Sequence, residues 1–98
     1  MLYVYGGIPV DPTRRDEVVT AAIAFQQACL AEEGCLEYNL SWNVSEPDFL
    51  RLIEVWEPTE AHAVHTQQPH VQEWTTFISG AATAPPTFTK YVVDVVGD

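Results

Sequence analysis

The stretch CLEYNLSWNVSEPDFLRLIEVWE, from Cys35 to Glu57, contains the clearest pair of predicted β-strands in the chain. From Cys35 to Val44, apolar or aromatic residues alternate with polar ones, which is the period of a half-buried β-strand. The turn-forming SEPD follows, and the apolar, β-branched run from Phe49 to Glu57 predicts a second strand. Because the loop between them is short, the two strands are expected to pair as an antiparallel hairpin.

The residues before the hairpin predict a strand and a helix. Leu2 to Val10 alternates and is rich in β-branched and aromatic residues, which indicates a strand. Asp11 suits a helix N-cap because Pro12 can occupy the first helical position. The 3.6-residue apolar period then carries the helix to about Glu33, and Gly34 is the expected stop.

The residues after the hairpin predict a broken helix and a last strand. Pro58 opens the helix, Pro69 interrupts it, and a further helical piece follows before a strand from Thr87 to Val96. The order is therefore β-α-β-β-α-β. With right-handed crossovers this predicts an α+β, ferredoxin-like split βαβ fold with a four-stranded antiparallel sheet. We expect residues 1–98 to form a single domain.

One face of this sheet is predicted to need a partner. Helices can cover only one face, yet the first strand carries Leu2 and Val4 on one parity and Tyr3 and Tyr5 on the other. An apolar face left open to water favours association. We therefore expect a homodimer that packs sheet on sheet.

Charge and cysteine content exclude several classes of partner. Fourteen acidic residues against four basic ones give a net charge of −10, so nucleic acid and anionic membrane surfaces are not expected partners. The sequence contains no signal-peptide pattern and no apolar run long enough to span a membrane, which predicts a cytoplasmic protein. We expect Cys29 and Cys35 to be free thiols rather than a disulfide.

All three histidines lie in RLIEVWEPTEAHAVHTQQPH, from Arg51 to His70. His62 and His65 are three residues apart on one predicted helix and His70 could approach them, so three imidazoles could bind zinc. However, Pro69 reorients the chain between them, no cysteine is close in sequence, and no second-shell acceptors are evident. We expect no bound metal, and the lack of a Gly-rich phosphate loop argues against flavin.

Three segments resemble a known family: EEGCLEYNL at Glu32–Leu40, LIEVWEPTEA at Leu52–Ala61, and the spaced His65, Pro69 and His70. They are similar to the antibiotic biosynthesis monooxygenase family and, within it, to the small quinol monooxygenases that use no cofactor. The resemblance implies a dimer of ferredoxin-like subunits, a dimeric α/β barrel, with a pocket between helices and sheet in each subunit.

The resemblance also implies a chemistry. An electron-rich quinol or anthrone loses a proton and passes an electron to O2, which requires an apolar slot, a base and hydrogen-bond donors for an oxyanion. His65 is the expected base, Glu54 its orienting partner and Trp56, two residues along the same strand, a wall of the slot. Tyr38 or Asn39 would hold an oxygen. The other expected substrate-binding residues are His62, His70, Trp74 and Phe77.

Several alternatives remain open at the level of sequence. Of the residues used by anthrone-oxidising relatives only Trp56 is matched, because Leu52, His62 and Thr76 stand at the other places. His65 could equally be a hydrogen-bonded structural histidine, and Trp56 could simply pack in the core. Two other functions compete with monooxygenation: a non-oxidative isomerase or cyclase, and a non-catalytic dimer whose pocket is filled by side chains. The volume of the pocket separates the last from the others.

Overall fold

The structure, a computed structural model, describes residues 1–96 and confirms the predicted ferredoxin-like fold. The four strands form one antiparallel sheet, in which Cys35–Trp42, Phe49–Trp56, Leu2–Pro9 and Thr87–Val92 lie side by side in that order. A short 3₁₀ turn, Pro12–Arg14, precedes the first helix. The elements in chain order are β1 Leu2–Pro9, α1 Arg15–Leu30, β2 Cys35–Trp42, β3 Phe49–Trp56, α2 Glu60–His65, α3 Pro69–Ala81 and β4 Thr87–Val92.

The strand register places polar side chains in one row across the sheet, on the face that meets the helices. Glu54 of β3 pairs with Tyr38 of β2 on one side and with Val4 of β1 on the other. Val4 in turn pairs with Lys90 of β4. Because paired residues point to the same face, the Tyr38, Glu54 and Lys90 side chains all lie on the helix-facing side of the sheet, where Lys90 is exposed.

Apolar burial holds the helices onto this face. Val18, Phe25 and Cys29 of α1 are buried at helical spacing, and Trp56 of β3 and Ile78 of α3 are buried with them. These residues belong to two apolar clusters, one near Trp56 and one near Ile78. Burying a large apolar side chain contributes roughly 1.5–3 kcal/mol, so these clusters are the main source of stability.

The first helix is shorter at both ends than the sequence predicts. The Asp11 carboxylate accepts hydrogen bonds from the Thr13 backbone N–H and hydroxyl, at 2.9 and 2.7 Å, and thereby caps the 3₁₀ turn rather than α1 itself. At the other end α1 stops at Leu30 instead of Glu33. Gly34 has the positive φ of 86° that favours glycine, and a Cβ there would lie 2.6 Å from the Ala61 Cβ.

Other boundaries also differ from the prediction. Val10 forms only an isolated bridge to Ala82, and β4 ends at Val92 rather than Val96. The broken second helix is confirmed, with α2 beginning at Glu60 and α3 at Pro69. No helix within residues 1–96 is long and apolar enough to cross a membrane.

The second face of the sheet carries exposed aromatic residues. Tyr5 and Tyr91 are 36% and 49% exposed, and their rings meet edge to face with centroids 5.9 Å apart. The Tyr3 ring lies 6.1 Å from that of Tyr5. The predicted two-sided apolar character of the first strand is therefore present in the fold.

Candidate active site

A cavity of about 320 Å³ lies between the helices and the helix-facing side of the sheet. Its walls are mostly apolar, and polar groups gather at the end where the row across the sheet meets α2. The apolar lining includes Val4, Ile8, Phe25, Leu40, Leu50, Leu52, Val71, Trp74 and Ile78. The polar lining includes Tyr38, Glu54, His62, His65 and Lys90.

Glu54 is a buried carboxyl group at the centre of this polar end. The indole N–H of Trp56 donates a hydrogen bond to Glu54 Oε1 at 2.9 Å. The Nε2 atoms of His62 and His65 each lie 3.7 Å from the same oxygen. Burial raises the pKa of Glu54 to about 7, against the opposing effects of the Trp56 hydrogen bond and the Lys90 charge. Glu54 can therefore hold a proton near neutral pH.

His65 ends α2 and points into the cavity. Its Nδ1 lies 2.7 Å from Glu32 Oε2, and its ring centroid lies 4.6 Å from that of Trp56. Because a carboxylate can only accept, this hydrogen bond places the ring proton on Nδ1 and leaves the Nε2 lone pair toward Glu54 and the cavity. Burial lowers the pKa of His65, although the Glu32 hydrogen bond acts in the opposite direction.

Glu32 is the site residue that sequence reasoning missed. It bridges two histidines, since His70 Nε2 also lies 2.8 Å from Glu32 Oε2. The expected partner of His65, Glu54, is 3.7 Å away and makes no hydrogen bond to it. Glu32 reaches the histidines because α1 ends at Leu30, so that the following turn directs this side chain inward. The sequence signal that could have identified Glu32 is its position two residues before Gly34, the predicted end of the helix.

Tyr38 and His62 complete the polar end of the cavity. Burial and the neighbouring Glu54 charge raise the pKa of Tyr38, so its hydroxyl stays protonated, and its side chain packs in the same buried cluster as Cys29. Burial, Lys90 and His65 lower the pKa of His62 to about 4, which keeps that imidazole neutral at physiological pH.

Several predicted site residues lie elsewhere. Trp56 is fully buried and does not line the cavity, so it is a core residue that supports Glu54. Asn39 follows Tyr38 on β2 and therefore points to the opposite face, where it bonds Glu37. Phe77 does not line the cavity and faces a groove between α1 and α3.

Two other predicted residues lie at the border of the cavity and this groove. Trp74 lines both, and its ring stacks on that of Phe25 with centroids 4.9 Å apart. The His70 side chain is 26% exposed against 4% for His65, so His70 lies nearer the surface, as its position after Pro69 predicts. His70 does not line the cavity, but it is hydrogen-bonded to Glu32, and its ring centroid lies 6.0 Å from that of the cavity-lining Phe25.

Comparison with known proteins identifies the family of this chain. The model of the antibiotic biosynthesis monooxygenase family matches residues 1–76. The chain belongs to this family. It is 31% identical over 72 residues to YcnE of Bacillus subtilis, named provisionally as a monooxygenase, a match that covers 74% of this chain and 76% of that protein.

Two further proteins are similar to this chain, one in sequence and one in structure. The protein sll1783 of Synechocystis is 27% identical over 73 residues, and the match covers 74% of this chain but only 50% of that protein. A crystal structure from Deinococcus radiodurans, named provisionally as an antibiotic biosynthesis monooxygenase, superposes with a TM-score of 0.91 at 21% identity. It covers 100% of this chain and 97% of the other. That likeness concerns the fold alone.

Proposed function

We propose that this chain is a cofactor-independent monooxygenase that oxidises a small quinol-like aromatic with O2. The proposal rests on the orientation of His65. Its Nδ1 is hydrogen-bonded to Glu32, and its Nε2 faces a mostly apolar cavity. An oriented neutral imidazole at the end of such a cavity is suited to take a phenolic proton.

The size of the cavity favours a compact substrate. A volume of about 320 Å³ is near the lower end of small-molecule sites, which favours one or two rings over a three-ring anthrone. Trp74 and Phe25 supply flat walls for an aromatic ring. The open volume counts against the alternative in which side chains fill the pocket, and the mostly apolar walls count against a phosphate-binding isomerase.

The proposed reaction begins with proton transfer to His65. The resulting phenolate is electron-rich enough to pass one electron to O2, and the two radicals join at a ring carbon to form a peroxide. The ring C–H bond and the O–O bond then break, a carbonyl forms, and the second oxygen leaves as water. A hydroquinone plus O2 thus gives a hydroxyquinone plus water, so the substrate supplies every electron.

Two neighbouring groups have proposed roles in the later steps. Glu54, whose pKa burial raises to about 7, would donate the proton that lets the peroxide oxygen leave as water. Tyr38 keeps its hydroxyl proton and would donate a hydrogen bond to the substrate oxyanion. Lys90 lines the same cavity and adds a positive charge that favours the phenolate.

Oxygen uptake tests this proposal directly. The purified chain, freed of metal by a chelator, is mixed with a panel of one- and two-ring quinols, and O2 consumption is followed with an electrode. We expect turnover with at least one quinol and, with ¹⁸O2, one labelled oxygen in the product and one in water. A protein that binds quinols but consumes no O2 above the uncatalysed rate would contradict the assignment.

We also propose that the protein is a cytoplasmic homodimer joined through the second face of the sheet. The support is the aromatic surface on that face, formed by the exposed Tyr5 and Tyr91 and the partly buried Tyr3. A stable interface buries at least about 1,000 Å² in total, which one face of a four-stranded sheet can supply.

Sedimentation measures the oligomeric state. At micromolar concentration we expect a dimer for the native chain and a monomer for Tyr5→Glu, because a charge in the centre of the interface must be desolvated. Glu17→Gln, a substitution on the exposed start of α1, is the matched control and should leave the dimer intact. A folded monomeric native chain would refute the dimer.

A further inference from the structure

Four potential metal ligands from three segments converge beside the cavity. They are the Sγ of Cys29, a carboxylate oxygen of Glu32, and one ring nitrogen each of His65 and His70, all within 4.8 Å of one another. We propose that these side chains bind one divalent ion of the zinc type. The site differs from the predicted trio of imidazoles, because it shares His65 and His70 with that trio but has Cys29 and Glu32 in place of His62.

The distances require only small movements for coordination. Zinc bonds of about 2.0–2.3 Å in a tetrahedron place its ligand atoms roughly 3.2–3.8 Å apart. Glu32 Oε2 lies 2.7 Å from His65 Nδ1 and 2.8 Å from His70 Nε2, so these pairs must open by about half an ångström. The widest pairs, within 4.8 Å, must close by about an ångström.

The donor set matches a dication in charge. A thiolate from Cys29 and the Glu32 carboxylate together neutralise two positive charges, and the neutral imidazoles add none. In the metal-free protein Cys29 is fully buried in an apolar cluster, where the uncharged thiol is the favoured form. Binding therefore releases one proton from Cys29, while the ring protons of His65 and His70 move to their other nitrogens.

Side chains that could form hydrogen bonds with the proposed metal ligands lie next to them in the structure. Tyr38 packs in the same buried cluster as Cys29, and its hydroxyl would donate a hydrogen bond to the thiolate. With Nδ1 bound to the ion, the Nε2–H of His65 would face Glu54, whose Oε1 lies 3.7 Å away. Metal-bound histidines usually donate their second N–H to a carboxylate in this way. The partly exposed His70 gives the ion a path from solvent.

Metal binding has a consequence for the proposed monooxygenase, and this step rests on that proposed function. An imidazole coordinated through Nδ1 carries its proton on Nε2, so it can donate but cannot accept. His65 then loses its ability to take the substrate proton. Zinc should therefore inhibit quinol oxidation in proportion to site occupancy.

Titration of the untagged, chelator-treated full chain tests the site without any activity assay. Isothermal calorimetry with Zn²⁺ at pH 8 should give one ion per chain and, by comparison of buffers, about one proton released. Co²⁺ should give intense visible bands typical of tetrahedral coordination and a thiolate-to-cobalt band in the ultraviolet. Cys29→Ser and His70→Gln should each weaken Zn²⁺ binding by more than the roughly 10- to 100-fold that loss of an outer partner costs.

His62→Gln is the matched control, because this histidine lines the cavity but offers no ligand to the cluster. It should bind Zn²⁺ as tightly as the native chain. Weak binding of several ions, a cobalt spectrum without the thiolate band, or equal affinities of the native chain and both ligand variants would overturn the site. Because these readouts need no substrate, a failed metal site and a failed monooxygenase assignment are distinguishable.

Discussion

Two carboxyl groups face His65 from opposite sides, and they differ in what surrounds them. Glu32 lies on the turn after α1 and accepts hydrogen bonds from His65 and His70 at 2.7 and 2.8 Å. Glu54 lies at the centre of the sheet, where its Oε1 accepts a hydrogen bond from the Trp56 indole N–H and no other within residues 1–96, and the Nε2 atoms of His62 and His65 are 3.7 Å away.

The contrast shows that hydrogen-bond donors, as well as burial, decide the role of a buried carboxyl group. The two side chains have similar exposures of 11% and 5%. Glu32 has two close N–H donors and is placed to orient an imidazole, whereas Glu54 has one donor and a pKa raised to about 7 by burial. The same residue type thus accepts two N–H hydrogen bonds on one side of His65 and, on the other side, has a pKa that lets it hold a proton near neutral pH.

The largest expected effect follows from neutralising Glu54. Its pKa is raised from 4.5 to about 7 on folding, so the native state binds the proton more tightly and stability falls as pH rises from 4.5 to 7. Glu54→Gln keeps an acceptor for Trp56 and removes this loss. We measure the free energy of unfolding by urea denaturation with a chelator present. Between pH 4.5 and pH 8 the difference in this free energy between the variant and the native chain should change by up to roughly 3 kcal/mol in favour of the variant.

His62→Gln provides a control of opposite sign. The pKa of His62 is lowered to about 4 on folding, so the native chain loses stability as pH falls from 6.5 to 4. The His62 variant should lack that loss of stability, so at acid pH it should be more stable than the native chain. Glu54→Gln should be no more stable than the native chain at that pH. Parallel stability curves for the native chain and both variants would show that these groups do not titrate abnormally.

Removal of the proposed base is the next largest effect. His65→Ala should slow quinol oxidation by on the order of a hundredfold while preserving the fold, the usual scale for general base assistance. His65→Gln retains a hydrogen bond to Glu32 but cannot transfer the proton, and it should be similarly slow. Steady-state kinetics and circular dichroism measure both outcomes. If both variants turn over normally but melt several degrees lower, His65 is structural.

A smaller effect is expected on the Glu32 side. Glu32→Gln weakens a charge-assisted hydrogen bond that contributes about 1.5 kcal/mol or more, which corresponds to roughly tenfold in rate. Since Glu32 raises the pKa of His65, its loss should also move the acid limb of the kcat/KM profile to lower pH. A purely structural role for Glu32 would lower stability and leave this limb in place.

The smallest effect separates the two faces of β2. Asn39 is exposed and points away from the cavity, so Asn39→Ala should change the free energy of unfolding by within about 0.5 kcal/mol and leave turnover unchanged. Tyr38→Phe removes a hydroxyl from the cavity and should slow turnover several-fold. Equal kinetic effects of the two substitutions would contradict the placement of Tyr38 in the reaction.

Local sequence patterns predicted much of the candidate site. The two-residue strand period places Glu54 and Trp56 on one face, and the helix spacing brings His62 and His65 together. The same period assigns Asn39 to the face opposite Tyr38, so its inclusion in the site was an error that the strand pattern could have corrected. The burial of Trp56 in the core, by contrast, depends on how the helices cover the sheet.

Sequence patterns alone predicted the element order, the antiparallel hairpin and the family, because periodicity, turn residues and local motifs are properties of neighbouring residues. The identity of the carboxyl group that is hydrogen-bonded to His65 depends instead on the tertiary structure. Glu32 and His65 are 33 residues apart, and their contact depends on where α1 ends and how α2 packs over the turn at Gly34. Such contacts arise from packing between distant segments, which no local pattern encodes.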